Sequence, residues 1–318
     1  MRPILSIRSR IIISLILLAA IFAFLDWGRF LEIIGRIDGA ALAVMFGVAL
    51  VERVFSAYRW YALVHGKRPS INFYMVFRIT FISCFLGLVM PGSIGVDLVR
   101  INGLARSTGD LAMSFASVLV ERFFGLLALA FLVLVGLAIS PAIMPAEISI
   151  IAWLGLAVLS VGLVAVMNSH IRALTKSLID YPVLEFIHSR LGKLYAALDE
   201  YRTRPGLLAW AVVLGIIFQL IRVAVFVAGA WALGLHVPTV FFLIVVPAAV
   251  IARLLPISIG GLGIRELSLV TLLGLVNVNP EAAISLSLLS YLMEILAGII
   301  PGAILYTRAG LHPVPLKD

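Results

Sequence analysis

A Pro/Gly-rich break in apolar sequence, from Pro91 to Gly95, carries residue types that could bind an anion. Gly92 and Gly95 permit a tight backbone and the close approach of a ligand. A helix that begins after such a break points its backbone N–H groups at an anion. Arg100 could bind a phosphate group there. Because Asp97 lies three residues earlier on the same helix face, the two side chains could instead form an ion pair that only holds the segment in place. Both interpretations stay open.

A second break of the same kind runs from Pro256 to Gly263 and continues into Arg265 and Glu266, with Arg253 upstream. Neighbouring residues on a helix do not face each other, so we expect Arg265 and Glu266 to find partners on other elements. The candidate partners are Glu294, Glu121 and Arg100. The two breaks together predict the following substrate-binding residues: Arg100, Arg265, Asp97, Gly92, Gly95, Arg253, Gly261 and Gly263.

Further ionisable residues lie inside long apolar stretches. A charge at membrane depth is costly, so such residues face a bundle interior or a wet cavity and are candidates for function. For the set we predict a polar central cavity. For each residue alone, an ion pair that locks helices together is the simpler interpretation. The predicted coupling or charge network comprises Glu121, Arg122, Glu266, Glu294, Arg53 and Arg222.

The sequence contains no pattern for catalysis, nucleotide hydrolysis or metal binding. It has no Walker A motif, its five histidines lack metal-ligand spacing, and neither Ser93 nor Ser258 has a histidine nearby in sequence. The single cysteine, Cys84, excludes a disulfide within the chain. We therefore predict no catalytic residue, no metal site, no cofactor and no enzymatic activity.

The composition indicates the environment of these residues. Of 318 residues, 63% are hydrophobic and 13% are charged, whereas soluble domains average about 45–50% apolar and about 25% charged residues. This excludes a cytosolic enzyme, a secreted domain and a disordered chain, and predicts an all-α polytopic integral membrane protein. In such a protein the net charge of +8 indicates loop topology and anionic headgroups, with no nucleic acid partner. We expect it in the bacterial inner membrane.

Apolar runs long enough for a helix of about 20 residues predict six full membrane spans. Basic loops lie on the inner side, which places both termini and the segment 169–206 in the cytoplasm. That segment has leucines at helical spacing among charges and is predicted to form amphipathic surface helices. Arg2, Arg8 and Arg10 precede the first run and no cleavage site follows it, so we expect a retained helix. The predicted spans are about 11–27, 40–64, 111–140, 148–168, 207–233 and 282–306.

Two apolar segments, 71–110 and 239–276, each contain one of the breaks. The charges of the flanking loops require each segment to begin and end on one side of the membrane, so we predict two opposed re-entrant hairpins. The pattern Pro-x-Ser-Ile-Gly occurs in both breaks, and the order helix, hairpin, helix occurs twice. We therefore predict a single membrane domain over 1–318 with inverted repeats at about 40–140 and 207–306, a signature of transporters.

The run from Phe85 to Arg100, FLGLVMPGSIGVDLVR, resembles the flippase-like membrane region of lysylphosphatidylglycerol synthases. The runs from Ser117 to Gly125 and from Leu255 to Glu266 are similar to later motifs of that region, and the likeness extends from about 11 to 306. Full-length synthases of this family add a soluble domain that transfers aminoacyl groups from tRNA to lipid. Because the sequence ends at Asp318, the resemblance implies the translocation part without the synthase part.

The resemblance and the charged breaks together predict a lipid flippase that moves an anionic or zwitterionic lipid between leaflets, with isoprenoid-linked lipids among the candidates. Arg100 and Arg265 would hold the headgroup from two sides, while Asp97, Glu121, Glu266 and Glu294 would balance them or carry a coupling proton. An alternative is a non-catalytic membrane subunit, or the lipid-presenting part of an enzyme that modifies a phospholipid or polyprenol, with a soluble or membrane enzyme as its partner. A structural membrane protein without transport activity is the third class.

Overall fold

A computed structural model describes residues 25–89, 93–139, 203–254 and 263–309, together with positions 16, 23, 197 and 199–201. Every regular element within these residues is a helix, which confirms the all-α prediction. In chain order the helices are α1 (Trp27–Gly35), α2 (Gly39–His65), α3 (Phe73–Val89), α4 (Ser93–Thr108), α5 (Leu111–Ile139), α6 (Pro205–Ala232), α7 (Phe242–Leu254), α8 (Ile264–Gly274), α9 (Pro280–Glu294) and α10 (Ile300–Ala309). A 3₁₀ turn (Thr239–Phe241) precedes α7, and a π-helical turn (Ile295–Ile299) joins α9 to α10.

Four helical stretches of the described residues are long and apolar enough to cross a membrane. They are Gly39–His65, Leu111–Ile139, Pro205–Ala232 and Pro280–Arg308, with 27 to 29 residues each. At 1.5 Å per residue they are about 40 Å long, more than the hydrocarbon core of about 30 Å. They correspond to four of the six predicted spans. The span predicted at 148–168, most of that at 11–27 and most of the segment 169–206 lie outside the described residues, so the total of six stays a prediction.

The helix α1 was not predicted, because the sequence analysis assigned Trp27 to the end of an apolar span. A carboxylate at a helix start accepts backbone N–H groups that have no partner within the helix. Asp26 does this for α1, accepting from the Arg29 N–H at 3.1 Å. Asp38 does it for α2, accepting from the Ala40 N–H at 2.8 Å. α1 has no buried residue and lies against α9.

The two helices with the most extensive contact, α2 and α6, run antiparallel. Near one end, Gly66 lies close to the side chain of Leu207. Near the other, the Asp38 N–H donates to the Ala232 carbonyl at 2.9 Å. α5 packs against both helices. These three long helices form the frame against which the broken segments pack.

The first broken segment folds as an antiparallel pair, α3 and α4, whose backbones approach closely at two glycines. A Cβ on Gly87 would lie 2.3 Å from the Val96 side chain, and one on Gly103 would lie 2.9 Å from Ile79. The base of the pair is tied by an ion pair between Arg68, before α3, and Asp110, after α4, at 3.3 Å. The pair therefore begins and ends at one end of the bundle.

The second broken segment contributes α7 and α8, which pack together; residues 255–262 between them lie outside the described part of the chain. Leu269 of α8 and Phe242 of α7 belong to one apolar core that also includes α5, α6 and α9. α7 follows the end of α6, and α9 returns to that end, where Leu286 would lie 2.8 Å from a Cβ on Gly229. The order long helix, two short helices, long helix thus occurs twice.

Replacing Gly302 with alanine is expected to lower the stability of the bundle. A Cβ there would lie 2.1 Å from the Phe81 carbonyl oxygen, so α10 and α3 must move apart, and overpacking of this kind costs about 1–3 kcal/mol. Gly47→Ala is the matched control, because a Cβ on Gly47 meets nothing within 4 Å. The midpoint of thermal unfolding in detergent measures both variants. Equal midpoints would contradict the α3–α10 contact.

Candidate functional site

A carboxylate within α5, Glu121, lies between two arginines. Its side chain is 2% exposed. Oε1 accepts from Arg59 Nη2 of α2 at 2.6 Å, and Oε2 accepts from Arg100 Nη2 of α4. Glu121 follows the first residue of α5, Leu111, by ten positions, about 15 Å along the axis. One negative charge therefore joins α2, α4 and α5 well inside a helix that is long and apolar enough to cross a membrane.

Arg59 is a site residue that the sequence analysis missed. It follows Glu52 by seven residues in α2, two helical turns, so both charges lie on one face; that spacing was the available signal. Arg100 has a second contact nearby, because its guanidinium lies 4.2 Å from the centroid of the Trp60 ring. The Trp60 indole N–H in turn donates to Ser117 at 3.1 Å. Both arginines are buried.

The first turns of α4 are joined to α5 by a second ion pair. Arg122 donates to both oxygens of Asp97, the shortest contact being 2.8 Å, and its side chain is partly exposed. Asp97 is also 3.7 Å from Arg100, which confirms that these two residues share a helix face. Asp97 and Arg100 are thus linked both to each other and to α5. The proposed role of Arg100 in phosphate binding stays a prediction.

The charges continue into α6. Arg222 donates from Nε to Glu52 at 2.9 Å and from Nη1 to Gln219 at 3.2 Å. The Phe218 ring contacts two guanidinium groups, with Arg59 4.3 Å and Arg222 4.6 Å from its centroid, distances typical of cation–π contacts. This ring connects the charges around Glu52 to those around Glu121. We call the joined set the central charge network: Glu52, Arg53, Arg59, Asp97, Arg100, Glu121, Arg122, Arg222 and Glu294.

Arg53 is the most loosely held arginine of the central charge network. Its Nη2 lies 3.7 Å from Glu52 and 3.8 Å from Glu294, longer than a hydrogen bond. Cys84 of α3 lies beside the Arg53 side chain. The side chains of Arg53 and Glu294 are 18% and 20% exposed, against 2% for Glu121. The network is therefore closed around Glu121 and more open around Arg53.

The first turn of α8 forms a separate polar cluster with α9. Ser287 Oγ accepts from Arg265 Nε at 3.0 Å and donates to Glu266 Oε1 at 2.8 Å. Arg265 also donates to Ser290 Oγ at 3.1 Å. The other Glu266 oxygen accepts from the Gly263 N–H at 2.7 Å, which caps the helix.

The expectation that Arg265 and Glu266 find partners on another element is confirmed by the serines of α9. The argument that the two side chains do not meet was wrong, since Arg265 Nε lies 3.6 Å from Glu266 Oε1. At the helix start Glu266 bends back to cap the backbone, and this brings its carboxylate within reach of the neighbouring guanidinium. The serines of α9 are partners that the sequence analysis did not name.

The remaining predicted binding residues are glycines and Arg253. Gly95 is buried in the first turn of α4. Gly263 begins α8 with φ +85°, a backbone conformation that favours glycine. Gly92, Gly261 and the side chain of Arg253 lie outside the described part of the structure. Among the described residues, no group of three or more histidines, cysteines or acidic residues could hold a metal ion.

The base of the first hairpin carries a polar contact to the residues that precede α6. Lys67 Nζ donates to the Ala197 carbonyl at 2.8 Å and lies 2.9 Å from Glu200. The Lys67 ammonium group also lies 4.7 Å from the centroid of the Tyr201 ring. Burial, together with the negative charge of Glu200, raises the pKa of Tyr201 above its usual value. This contact fixes one end of α6 to the turn between α2 and α3.

Replacing Glu121 with alanine is expected to destabilise the protein strongly. It leaves two buried arginines without their shared carboxylate, and breaking a buried ion pair from one side costs about 3–5 kcal/mol. Glu32→Ala is the control, because the pair between Glu32 and Arg36 is exposed at 2.6 Å and such surface pairs contribute about 0–1 kcal/mol. Denaturant titration in detergent micelles measures both. A loss no larger than that of the control would show that Glu121 does not hold the helices together.

Comparison with known proteins identifies a family. No curated protein sequence matches the chain significantly. The family model described as the lysylphosphatidylglycerol synthase TM region matches residues 9–302, which include both broken segments and the whole central charge network. The chain therefore belongs to the family of the transmembrane region of lysylphosphatidylglycerol synthases.

Proposed function

We propose that this protein moves an anionic or zwitterionic lipid between the leaflets of the bacterial inner membrane, without catalysing a reaction. Isoprenoid-linked lipids are among the candidate cargoes. The observation that carries the proposal is the central charge network, which places buried arginines and carboxylates within long apolar helices. A polar headgroup that crosses the hydrocarbon core needs polar partners on its way, because an isolated charge is unstable there.

The arrangement of the helices supports an inverted-repeat transporter. α2 and α6 are antiparallel and begin the two units. The first hairpin starts where α2 ends, beside Leu207 near the start of α6, and the second starts where α6 ends. The hairpins therefore extend from opposite ends of the bundle, as expected for two re-entrant segments entering from opposite sides. Rocking of one unit against the other would expose a central site to each leaflet in turn.

The residues in this proposal have distinct roles. Arg100 and Arg265 contact the headgroup from the two hairpins, and guanidinium groups suit phosphate because they bind it in a bidentate way. Asp97, Glu121, Glu266 and Glu294 balance these charges or carry a coupling proton. Because Arg100 and Arg265 have protein partners here, contact with a headgroup requires an exchange of partners. That requirement couples binding to movement of the hairpins.

The direct test is lipid translocation by the purified protein in liposomes. Fluorescent phosphatidylglycerol, phosphatidylethanolamine and a polyprenyl phosphate are incorporated in both leaflets, and a membrane-impermeant reductant removes the signal from the outer leaflet. We expect faster loss of the inner-leaflet signal for one lipid class than in protein-free liposomes. Equal rates for all three lipids, with and without protein, would refute the proposal.

Replacing Arg100 with alanine is expected to abolish translocation, because the variant loses the hairpin's guanidinium contact. Arg36→Ala is the control. Arg36 directly follows α1 and has a largely exposed side chain, so this variant should leave the rate unchanged. Arg100→Lys keeps the charge beside Glu121 but not the planar donor geometry, and we expect it to preserve the fold and lower the rate. Size-exclusion chromatography checks folding. A wild-type rate in folded Arg100→Ala would contradict the assigned role.

A second candidate function is that of a lipid-presenting membrane subunit, which the description of the matching family favours because it names a synthase. In that case a soluble or membrane enzyme carries the chemistry and this chain holds the lipid. Affinity purification from the native membrane, followed by an assay for modified phospholipid or polyprenol, tests it. A co-purifying enzyme and absent translocation would favour this function; translocation by the isolated chain would favour the first.

A further inference from the structure

We propose that Arg53 binds the phosphate of a phospholipid headgroup, and that a row of aromatic side chains between α2 and α3 holds a hydrocarbon chain of the same lipid. The inference rests on the proposed function and assigns the ligand contact at the open side of the central charge network. Arg53 was expected only as a member of the charge network. Its contacts point to a second role, that of the residue that binds the ligand.

The first observation is that Arg53 has unused hydrogen-bonding capacity. Its Nε is buried and has no hydrogen-bond partner among the described residues, and its two carboxylate neighbours are more than 3.5 Å away. Arg222, in contrast, donates from Nε to Glu52 at 2.9 Å. A buried donor without an acceptor is costly. A phosphate oxygen would satisfy the Arg53 donor through a charge-assisted hydrogen bond.

The second observation is an aromatic seam formed by Tyr58 and Tyr61 of α2 and by Phe73, Phe77 and Phe81 of α3. Neighbouring ring centroids along it are 5.6 Å apart for Tyr61 and Phe73, 5.8 Å for Phe73 and Phe77, and 4.3 Å for Phe77 and Phe81. Tyr58 is 39% exposed, whereas Phe81 is 4% exposed. The seam therefore leads from the lipid-facing surface into the bundle.

The two features are continuous. Phe81 precedes Cys84 by three residues on α3, so both lie on one helix face, and Cys84 contacts Arg53. An apolar path thus ends at a cation. This combination matches the chemistry of one molecule, a lipid with an apolar chain and an anionic headgroup. The surplus of positive charge in the network, with five arginines and four carboxylates, also favours an anion over a cationic or uncharged headgroup.

The single cysteine of the chain provides the test, because Cys84 is partly exposed and lies at the proposed headgroup position. The full-length protein in non-ionic detergent is treated with N-ethylmaleimide, and the rate of Cys84 modification is followed by mass spectrometry. Three additions are compared: dioleoyl-phosphatidylglycerol, dioleoylglycerol and glycerol 3-phosphate. At ten times the Kd about one protein in ten stays free, so we expect phosphatidylglycerol alone to slow modification about tenfold.

Variants test the phosphate contact and the aromatic seam separately. For each variant, the rate of Cys84 modification with lipid is compared with its rate without lipid. Arg53→Gln is expected to weaken protection by phosphatidylglycerol about tenfold or more, through loss of a charge-assisted hydrogen bond. Phe77→Ala should also weaken it. Arg36→Gln and Phe115→Ala are the matched controls, since Arg36, directly after α1, and Phe115, on α5, are exposed, and both variants should retain full protection.

Several results would overturn the proposal. Protection by glycerol 3-phosphate alone would indicate a free-phosphate site, and protection by dioleoylglycerol alone would exclude a role for the headgroup. Protection of Cys84 that rises with protein concentration and does not depend on added lipid would indicate that a second copy of the chain covers the seam. Absence of protection by phosphatidylglycerol in the wild type would refute the site without any variant being needed.

The outcome is separable from that of the proposed function. If Arg53→Gln translocates lipid normally while Arg100→Ala does not, translocation stands and the Arg53 site falls. If phosphatidylglycerol protects Cys84 in the wild type but no lipid is translocated in liposomes, the site stands and translocation falls.

Discussion

The structure depends on one buried carboxylate, Glu121, placed between the guanidinium groups of Arg59 and Arg100. A charge inside the apolar part of a membrane protein is costly and pairs with compensating groups. Each oxygen of Glu121 has its own arginine, and each arginine belongs to a different helix. The separations of α2, α4 and α5 are therefore set by an electrostatic requirement. The first hairpin cannot slide along the long helices without breaking this contact.

The apolar parts of the helices are fixed in another way. Lipid chains are as apolar as leucine, so helices in a membrane associate through close packing rather than through burial from water. Glycines provide that closeness where α10 meets the Phe81 backbone, where α3 meets α4 at Val96, and where α6 meets α9 at Leu286. The charged contacts define which helices are partners, and the glycine contacts define how close they come.

The two halves of the central charge network differ in a way that suits a transporter. Around Glu121 the contacts are short and closed to the surroundings, whereas around Arg53 they are long and partly exposed. The Phe218 ring, which contacts both Arg59 and Arg222, links these halves. A ligand that reaches the open half would bind Arg53 without first breaking the ion pair between Arg59 and Glu121, which holds α2 and α5 together. Movement of the first hairpin would then follow from its own contacts with Arg100 and Asp97.

The sequence by itself determined the helical class, the membrane environment, the positions of both breaks in the sequence, the shared helix face of Asp97 and Arg100, and the family, because apolar runs, glycine and proline breaks and three-residue spacing are local properties. Only the tertiary structure decided which distant charges meet. Arg59 reaches Glu121 across 62 residues, and Arg222 reaches Glu52 across 170, separations for which sequence spacing carries no information. The same holds for Arg265, whose serine partners lie on α9. The packing of the helices determines which of several possible partners each charge meets. This packing depends on contacts between surfaces of different segments, so no single segment contains the information.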